Sequence, residues 1–253
     1  MPDGTYASAL AFLDRIVNYE TVPFHGAPAP GVPAVPRPWK LGRIRRALRA
    51  LGDPHKGGGV RWFHVAGSKG KGSVSLFLEA ILRASGARVG TYTSPHLEDL
   101  RERIRIGGEP VAPEAFAEAM APVARLSDAW EREGKPHLTY FEALTAAAFL
   151  AFRAARVEAG VVETGLGGRF DATNVVRPEV CVLTHIEREH ERLLGSRLEE
   201  IAREKAGIVK RGTPPALAAI AAGADAAVRD VAAARGAPVW TAGREIAWEG
   251  GDG

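Results

Sequence analysis

Between residues 67 and 73 the chain reads Gly67-Ser68-Lys69-Gly70-Lys71-Gly72-Ser73, a mixture of residue types able to grip phosphate. Glycines allow a tight turn with backbone N–H groups pointing inward, and a helix N-terminus behind them adds a favourable dipole. Lys71 can reach terminal phosphates as a point charge. The apolar run RWFHVA just ahead reads as a strand and residues 73–85 read as a helix, which is the context such a loop requires. The strict spacing GxxxxGK[ST] is not met: the upstream Gly67 is too close, and Gly72 separates Lys71 from Ser73. A glycine-rich strand–helix turn with surface lysines is the plain alternative.

Further along, Glu163 closes the apolar run AGVVE, and ligands of parallel α/β sheets gather where strands end. Bound phosphates bring magnesium, which takes hard oxygen ligands from a few fixed groups. Ser94 ends another short apolar run, RVGTYTS, ahead of Pro95 and His96. Asp171 and Asn174 follow a second glycine turn, where both types also stabilise turns without any ligand. His190 lies in REHERLLG, which reads equally as the solvated start of a charged helix, and His185 reads as a strand-end residue. Lys205 lies in a helical stretch, 198–209; there Glu199 and Arg203 have the i,i+4 spacing of a surface ion pair, so a solvent-facing lysine is the simple reading.

Positioning these groups requires strands alternating with helices. Helices are expected over 5–18, 41–51, 73–85, 113–132, 141–156, 198–209 and 224–234. Strands are expected in RWFHVA, RVGTYTS, AGVVETG, EVCVLTHI, PALAAI and APVWTA. This alternation predicts an α/β fold, a mainly parallel sheet flanked by helices. Residues 24–38, rich in Pro and Gly, predict an extended loop. The expected organisation is therefore a helix plus Pro-rich loop over 1–38 and one nucleotide-binding domain over 39–253.

The 253 residues are 46% hydrophobic and 25% charged, an ordinary globular composition. A net charge of +3 hints at anionic ligands at most and is too weak to argue for nucleic acid, so no nucleic-acid partner is expected. No apolar run reaches the length of a membrane span, and the start lacks the pattern of a secretory signal, so the expected location is cytoplasmic. The single cysteine, Cys181, excludes an internal disulfide framework and reads as a buried small hydrophobe.

Taken together, HVAGSKGKGS, LGRIRRALRALGDPH, TSPHL, ERI, FEALTAAAF, ETGLGGRFDATNVV and LEEIAREKAGIVK resemble, in order, the folylpolyglutamate synthase / dihydrofolate synthase family of the Mur ligase superfamily, over about residues 40–215. The resemblance implies ATP held by residues 67–73, with Lys71 on its phosphates. It implies magnesium held by Ser94, Glu163 and His190, and a carbamylated Lys205 beside a second metal. Ser94, Pro95, His96 and Asp171 would contact the acceptor, and Lys71, Lys205 and His190 would be catalytic. The implied reaction joins L-glutamate to dihydropteroate or to a folate polyglutamate tail through an acyl phosphate. One segment departs from the family: THIEREHERLLG stands where TSIGLDHxxxLG is usual, so Glu189 replaces an aspartate. The chain also contains no glutamine for the family's HQxxNA-like segment. The expectation is thus the ATPase half of a ligase, working with a separate C-terminal domain. A non-catalytic nucleotide- or folate-binding paralogue and a different P-loop enzyme, such as a small-molecule kinase, are the alternatives.

Overall fold

The computed structural model describes residues 4–20, 40–213, 215–217 and 222–247. The Pro-rich stretch 24–38 and the second half of the PALAAI run, 218–220, lie outside them. The chain divides into two compact units, one formed by residues 1–60 and 79–160, the other by 61–78 and 161–253.

In the first unit, helix α1 (Tyr6–Arg15) starts at Thr5, whose hydroxyl accepts the Ser8 N–H at 3.2 Å. Helix α2 (Gly42–Ala50) buries Ile44, Ala47 and Leu48 along one stripe. In the second unit, strand β1 (Arg61–Ala66) leads through the glycine loop into helix α3 (Lys71–Ala84). Strand β2 (Val89–Tyr92) follows in the first unit, paired antiparallel with β3 (Ile104–Ile106), itself antiparallel to β4 (Glu109–Pro110). The Gly107-Gly108 pair turns that hairpin, which strand–helix alternation alone had not anticipated. Helix α4 (Pro113–Arg132) begins with proline, whose fixed φ suits a first helical turn.

Helix α5 (Tyr140–Ala154) opens with a capping box: the Thr139 hydroxyl accepts the Glu142 N–H, and the Glu142 carboxylate accepts the Thr139 N–H. Residues 142–152 of α5 are all buried, as expected of a helix apolar on every side. It packs on α4, which also covers α1. Phe116, Met120, Phe149 and Phe152 fill that core, each buried aromatic or aliphatic side chain contributing roughly 1.5–3 kcal/mol.

The second unit orders its strands β5 (Ala159–Glu163), β1, β6 (Val180–Leu183), β7 (Pro215–Leu217) and β8 (Trp240–Thr241). β6 runs parallel to β1, with Val65 opposite Val182; β7 and β8 continue in parallel. Helices α6 (Glu191–Leu194), α7 (Leu198–Lys205) and α8 (Ala222–Ala233) complete it, with α7 packed on α8. Its core gathers Leu183, Ile201, Ile208 and Val228. Cys181 is buried there, its Sγ 3.4 Å from the Ile208 carbonyl, and burial pushes its thiol up to about 12. The structure thus has the α/β architecture expected, parallel in the second unit and antiparallel over β2–β4. No helix among the described residues is long and apolar enough to cross a membrane.

Candidate nucleotide-binding site

The glycine loop leaves β1 at Ala66, where the sheet ends, and the residues after β6 fasten it down. Thr184 donates its N–H to the Ala66 carbonyl at 2.9 Å and its hydroxyl to the Lys69 carbonyl at 2.7 Å. The Ser68 N–H donates to the His185 carbonyl at 2.7 Å, and the Glu187 N–H donates to the Ser68 hydroxyl at 3.1 Å. Lys69 pairs with Glu187 at 2.9 Å on the exposed rim. This lacing needs a glycine at position 67, which has φ +151°; a Cβ there would lie 1.8 Å from Thr184 Oγ1. Lys71, at the start of α3, folds back so that its Nζ lies 3.4 Å from the Ser68 carbonyl. The result is a turn with several carbonyls already satisfied and a helix N-terminus behind it, the geometry that favours an anion.

Glu163 ends β5, is 3% exposed, and brings Oε2 to 3.7 Å from where a Cβ on Gly72 would lie. A buried carboxylate beside the loop is a hard oxygen donor that fits magnesium. His190 adopts φ +48° and caps the short helix α6. Ser94, Pro95 and His96 belong to the first unit, after β2, with a cis bond between Ser94 and Pro95.

Lys205 is not a surface lysine: it is 1% exposed at the end of α7. Its Nζ donates to the Gly67 carbonyl at 2.9 Å and to Glu189 Oε1 at 2.7 Å. Burial pulls the Lys205 ammonium below its ordinary pKa, against the opposing pull of Glu189. Burial would raise the Glu189 carboxyl, but the Lys205 charge outweighs it and holds the group below the usual range. The Glu199–Arg203 surface pairing is not what forms; Arg203 reaches Asp230 at 3.7 Å and Glu199 reaches Arg197 at 3.5 Å.

Lys205 is held in place by backbone contact. A Cβ on Gly168 would sit 2.5 Å from the Lys205 carbonyl, and one on Gly207 would sit 2.3 Å from Arg169 Cβ. The glycines of ETGLGG and KAGI therefore allow the turn after β5 to lie directly against the end of α7. Asn174 adds to the seam, donating to the Arg169 carbonyl at 2.8 Å and the Gly207 carbonyl at 3.2 Å, and Lys210 donates to Asn174 Oδ1.

Asp171 is buried and accepts from the Gly165, Leu166 and Thr173 N–H groups at 2.9–3.0 Å, and from the Thr173 hydroxyl. Burial raises its carboxyl, which these hydrogen bonds partly offset. Because Thr173 spends its proton on Asp171, it must accept from His64, whose Nε2 lies 2.8 Å away. Sequence reasoning missed this chain, since nothing in HVAG marks a buried histidine. Burial pushes His64 down to about 3. Below pH 6.5 the unfolded chain takes up a proton that the folded chain refuses, so stability is present above 6.5 and falls as pH drops towards 3. His64 alone should contribute a slope approaching ~1.4 kcal/mol per pH unit. Urea unfolding of wild type and His64→Gln between pH 7 and pH 4 checks this: the variant should show the flatter profile, and equal slopes would contradict it. His55, lowered to about 4 by burial, accounts for part of the slope that remains.

A family model described as Mur ligase middle domain matches residues 65–249. The dihydrofolate synthase/folylpolyglutamate synthase of Bacillus subtilis is 46% identical over 178 residues, 69% of this chain and 40% of that protein. The folylpolyglutamate synthase of Lacticaseibacillus casei is 43% identical over 173 residues, with similar coverage of 68% and 40%. The chain thus spans about 40% of the length of these curated relatives. Among solved structures, the apo form of L. casei FPGS superposes with a TM-score of 0.82 at 33% identity, covering 95% of this chain and 54% of that one. An FPGS–AMPPCP–folate complex gives the same TM-score, identity and coverage. The laced glycine loop, the strand-end Glu163 and the buried Lys205 thus sit on a shared scaffold, and the chain belongs to the Mur ligase middle-domain family, with folylpolyglutamate and dihydrofolate synthases among its relatives.

Proposed function

We propose that this chain is the nucleotide-holding part of an ATP-dependent carboxylate–amine ligase that adds L-glutamate to dihydropteroate or to folate polyglutamate tails. The observation that carries the reading is the loop 67–73 laced to residues 184–187, with Lys71 at the helix start and Glu163 beside Gly72. The resemblance to proteins named for this activity, and to a complex with AMPPCP and folate, supports the substrate class.

In this reading the loop N–H groups and the α3 N-terminus hold the ATP phosphates, and Lys71 swings from the Ser68 carbonyl onto the transferring phosphoryl group. Glu163 and His190 would hold magnesium, which would supply charge stabilisation to that group. A carboxylate oxygen of the acceptor attacks the γ-phosphorus, giving an acyl phosphate and ADP. The amine of glutamate then attacks the acyl carbon and phosphate leaves. Ser94, Pro95, His96 and Asp171 are assigned to the acceptor side; for Asp171 this acts through the turn it holds. The family resemblance gives Lys205 a carbamate, whereas here Glu189 favours the ammonium form and Lys205 braces the loop through the Gly67 carbonyl.

The test is ADP release with Mg-ATP, L-glutamate and either dihydropteroate or tetrahydrofolate, the full-length partner domain of a relative being added in a second series. Acceptor-dependent release supports the ligase. Nucleotide and folate binding without release in either series would identify a binding paralogue instead.

A further inference from the structure

We propose that Glu187 is a built-in competitor for Lys69: its carboxylate contends with the phosphates of a nucleoside polyphosphate for that ammonium, and so sets how tightly the glycine loop holds its ligand. The competition rests on the reading of residues 67–73 as a phosphate loop, and every group in it belongs to the second unit.

The Lys69 Nζ lies 2.9 Å from Glu187 Oε1, and the carboxylate lifts the ammonium above its ordinary pKa. The backbone fixes both ends of the pair. Residues 69 and 185 form an antiparallel bridge, the Thr184 hydroxyl donates to the Lys69 carbonyl at 2.7 Å, and the Glu187 N–H donates to the Ser68 hydroxyl at 3.1 Å. The lacing that shapes the loop therefore also places this ion pair. The other two lysines are engaged differently. Lys71 rests on a carbonyl, its Nζ 3.4 Å from that of Ser68, and Lys205 is committed to Glu189 at 2.7 Å. Of the three, Lys69 is the one whose charge is countered by a carboxylate at the solvent rim.

Exposure makes this pair exchangeable. The Lys69 side chain is 71% exposed and that of Glu187 34%, against 2% for Lys205. An exposed ion pair gains little in a high dielectric, and a phosphate oxygen offers Lys69 the same charge-assisted hydrogen bond. A Cβ on Gly70 would meet nothing within 4 Å, so the loop is open beside Lys69. The displaced carboxylate has a second partner within reach, because His185 Nε2 lies 3.7 Å from Glu187 Oε2. Glu187 therefore sets the affinity of the loop downwards: a phosphate must take Lys69 from it, and it reclaims Lys69 as the phosphate leaves. Its backbone contacts to Ser68 do not depend on the carboxylate, so the charge can be removed without undoing the lacing.

The experiment is titration calorimetry of Mg-AMPPCP into the wild-type chain, Glu187→Gln, Lys69→Gln and the double variant, with urea unfolding confirming that all four are folded. Side-chain NMR of the 13C,15N-lysine-labelled chain follows the Lys69 ammonium, assigned by its loss in Lys69→Gln. Glu187→Gln should bind about 3- to 5-fold more tightly than the wild type, and Lys69→Gln about 5-fold more weakly. In the Lys69→Gln background, adding Glu187→Gln should change affinity by less than about 2-fold. The Lys69 signal should differ between wild type and Glu187→Gln before Mg-AMPPCP is added and converge after it. Unchanged or weaker binding by Glu187→Gln overturns the proposal. Equal gains in the two backgrounds overturn it too, since Glu187 would then act by diffuse repulsion rather than through Lys69. A Lys69 signal that Mg-AMPPCP does not move, with binding intact, overturns the exchange and leaves the phosphate-loop reading standing. No binding by any of the four folded proteins overturns that reading and the competition with it.

Discussion

Lys205→Met is expected to destabilise the protein by about 3–5 kcal/mol, because it removes one partner of a buried ion pair and strands the other. The loss has two parts. Glu189 is left without the charge that holds its carboxyl down, and the Gly67 carbonyl loses its donor. Glu189→Gln should cost less. Its side chain is 22% exposed against 2% for Lys205, and a buried ammonium deprived of its partner can shed its proton. The double variant Lys205→Met/Glu189→Leu should recover much of the single-variant loss, since an apolar pair replaces two groups that each needed the other. Urea unfolding of the four proteins gives the coupling directly. Losses that simply add would mean that the pair is not an energetic unit. Nucleotide affinity should fall in all three variants, because Gly67 is the first residue of the phosphate loop.

Gly67→Ala should be nearly as damaging. Its added Cβ would meet Thr184 Oγ1 at 1.8 Å and the His185 carbonyl at 3.2 Å, at a φ of +151° that side chains rarely adopt. Backbone strain and overpacking of this kind cost about 1–3 kcal/mol each. The loop can escape only by breaking the Thr184 and Ser68 hydrogen bonds that shape it. Nucleotide affinity is therefore expected to fall by two orders of magnitude or more, which is about 2.7 kcal/mol. Adding Thr184→Ala removes the hydroxyl that clashes, so the double variant should regain stability over Gly67→Ala alone. Differential scanning calorimetry of the three proteins tests the assignment, and a double variant weaker than both singles would refute it.

How much of this was legible in the residues follows from where the information lies. The loop, its strand and its helix were readable because Gly and Lys sit at positions whose backbone demands are local. Glu163 was readable because an acid closing an apolar run stands at a strand end. Strand β2 was readable in RVGTYTS, whereas the β3–β4 hairpin was missed, although Gly107-Gly108 carries its signal, because strands of three and two residues are too short to show a period. Lys205 looked like a surface lysine because its helix is strongly charged; what buries it is the close approach at Gly168 and Gly207, which connects residues far apart in the chain. The same holds for His64 with Thr173 and for Arg103 with His96 and Glu20. Each depends on a tertiary contact, and no local pattern announces it. In the altered EREHER segment, where a solvated helix start was the plain alternative, the helix begins only at Glu191, and Glu187 and Glu189 bind Lys69 and Lys205.

The central claim is that residues 67–73 hold nucleotide phosphates. Titration calorimetry of Mg-AMPPCP into the wild-type chain and into Lys71→Ala tests it most directly, with unfolding curves confirming that both are folded. The account predicts measurable binding by the wild type and a loss of at least about 10-fold in the variant, the weight of one charge-assisted contact. Binding of equal strength in the two proteins, or none by the folded wild type, would contradict it.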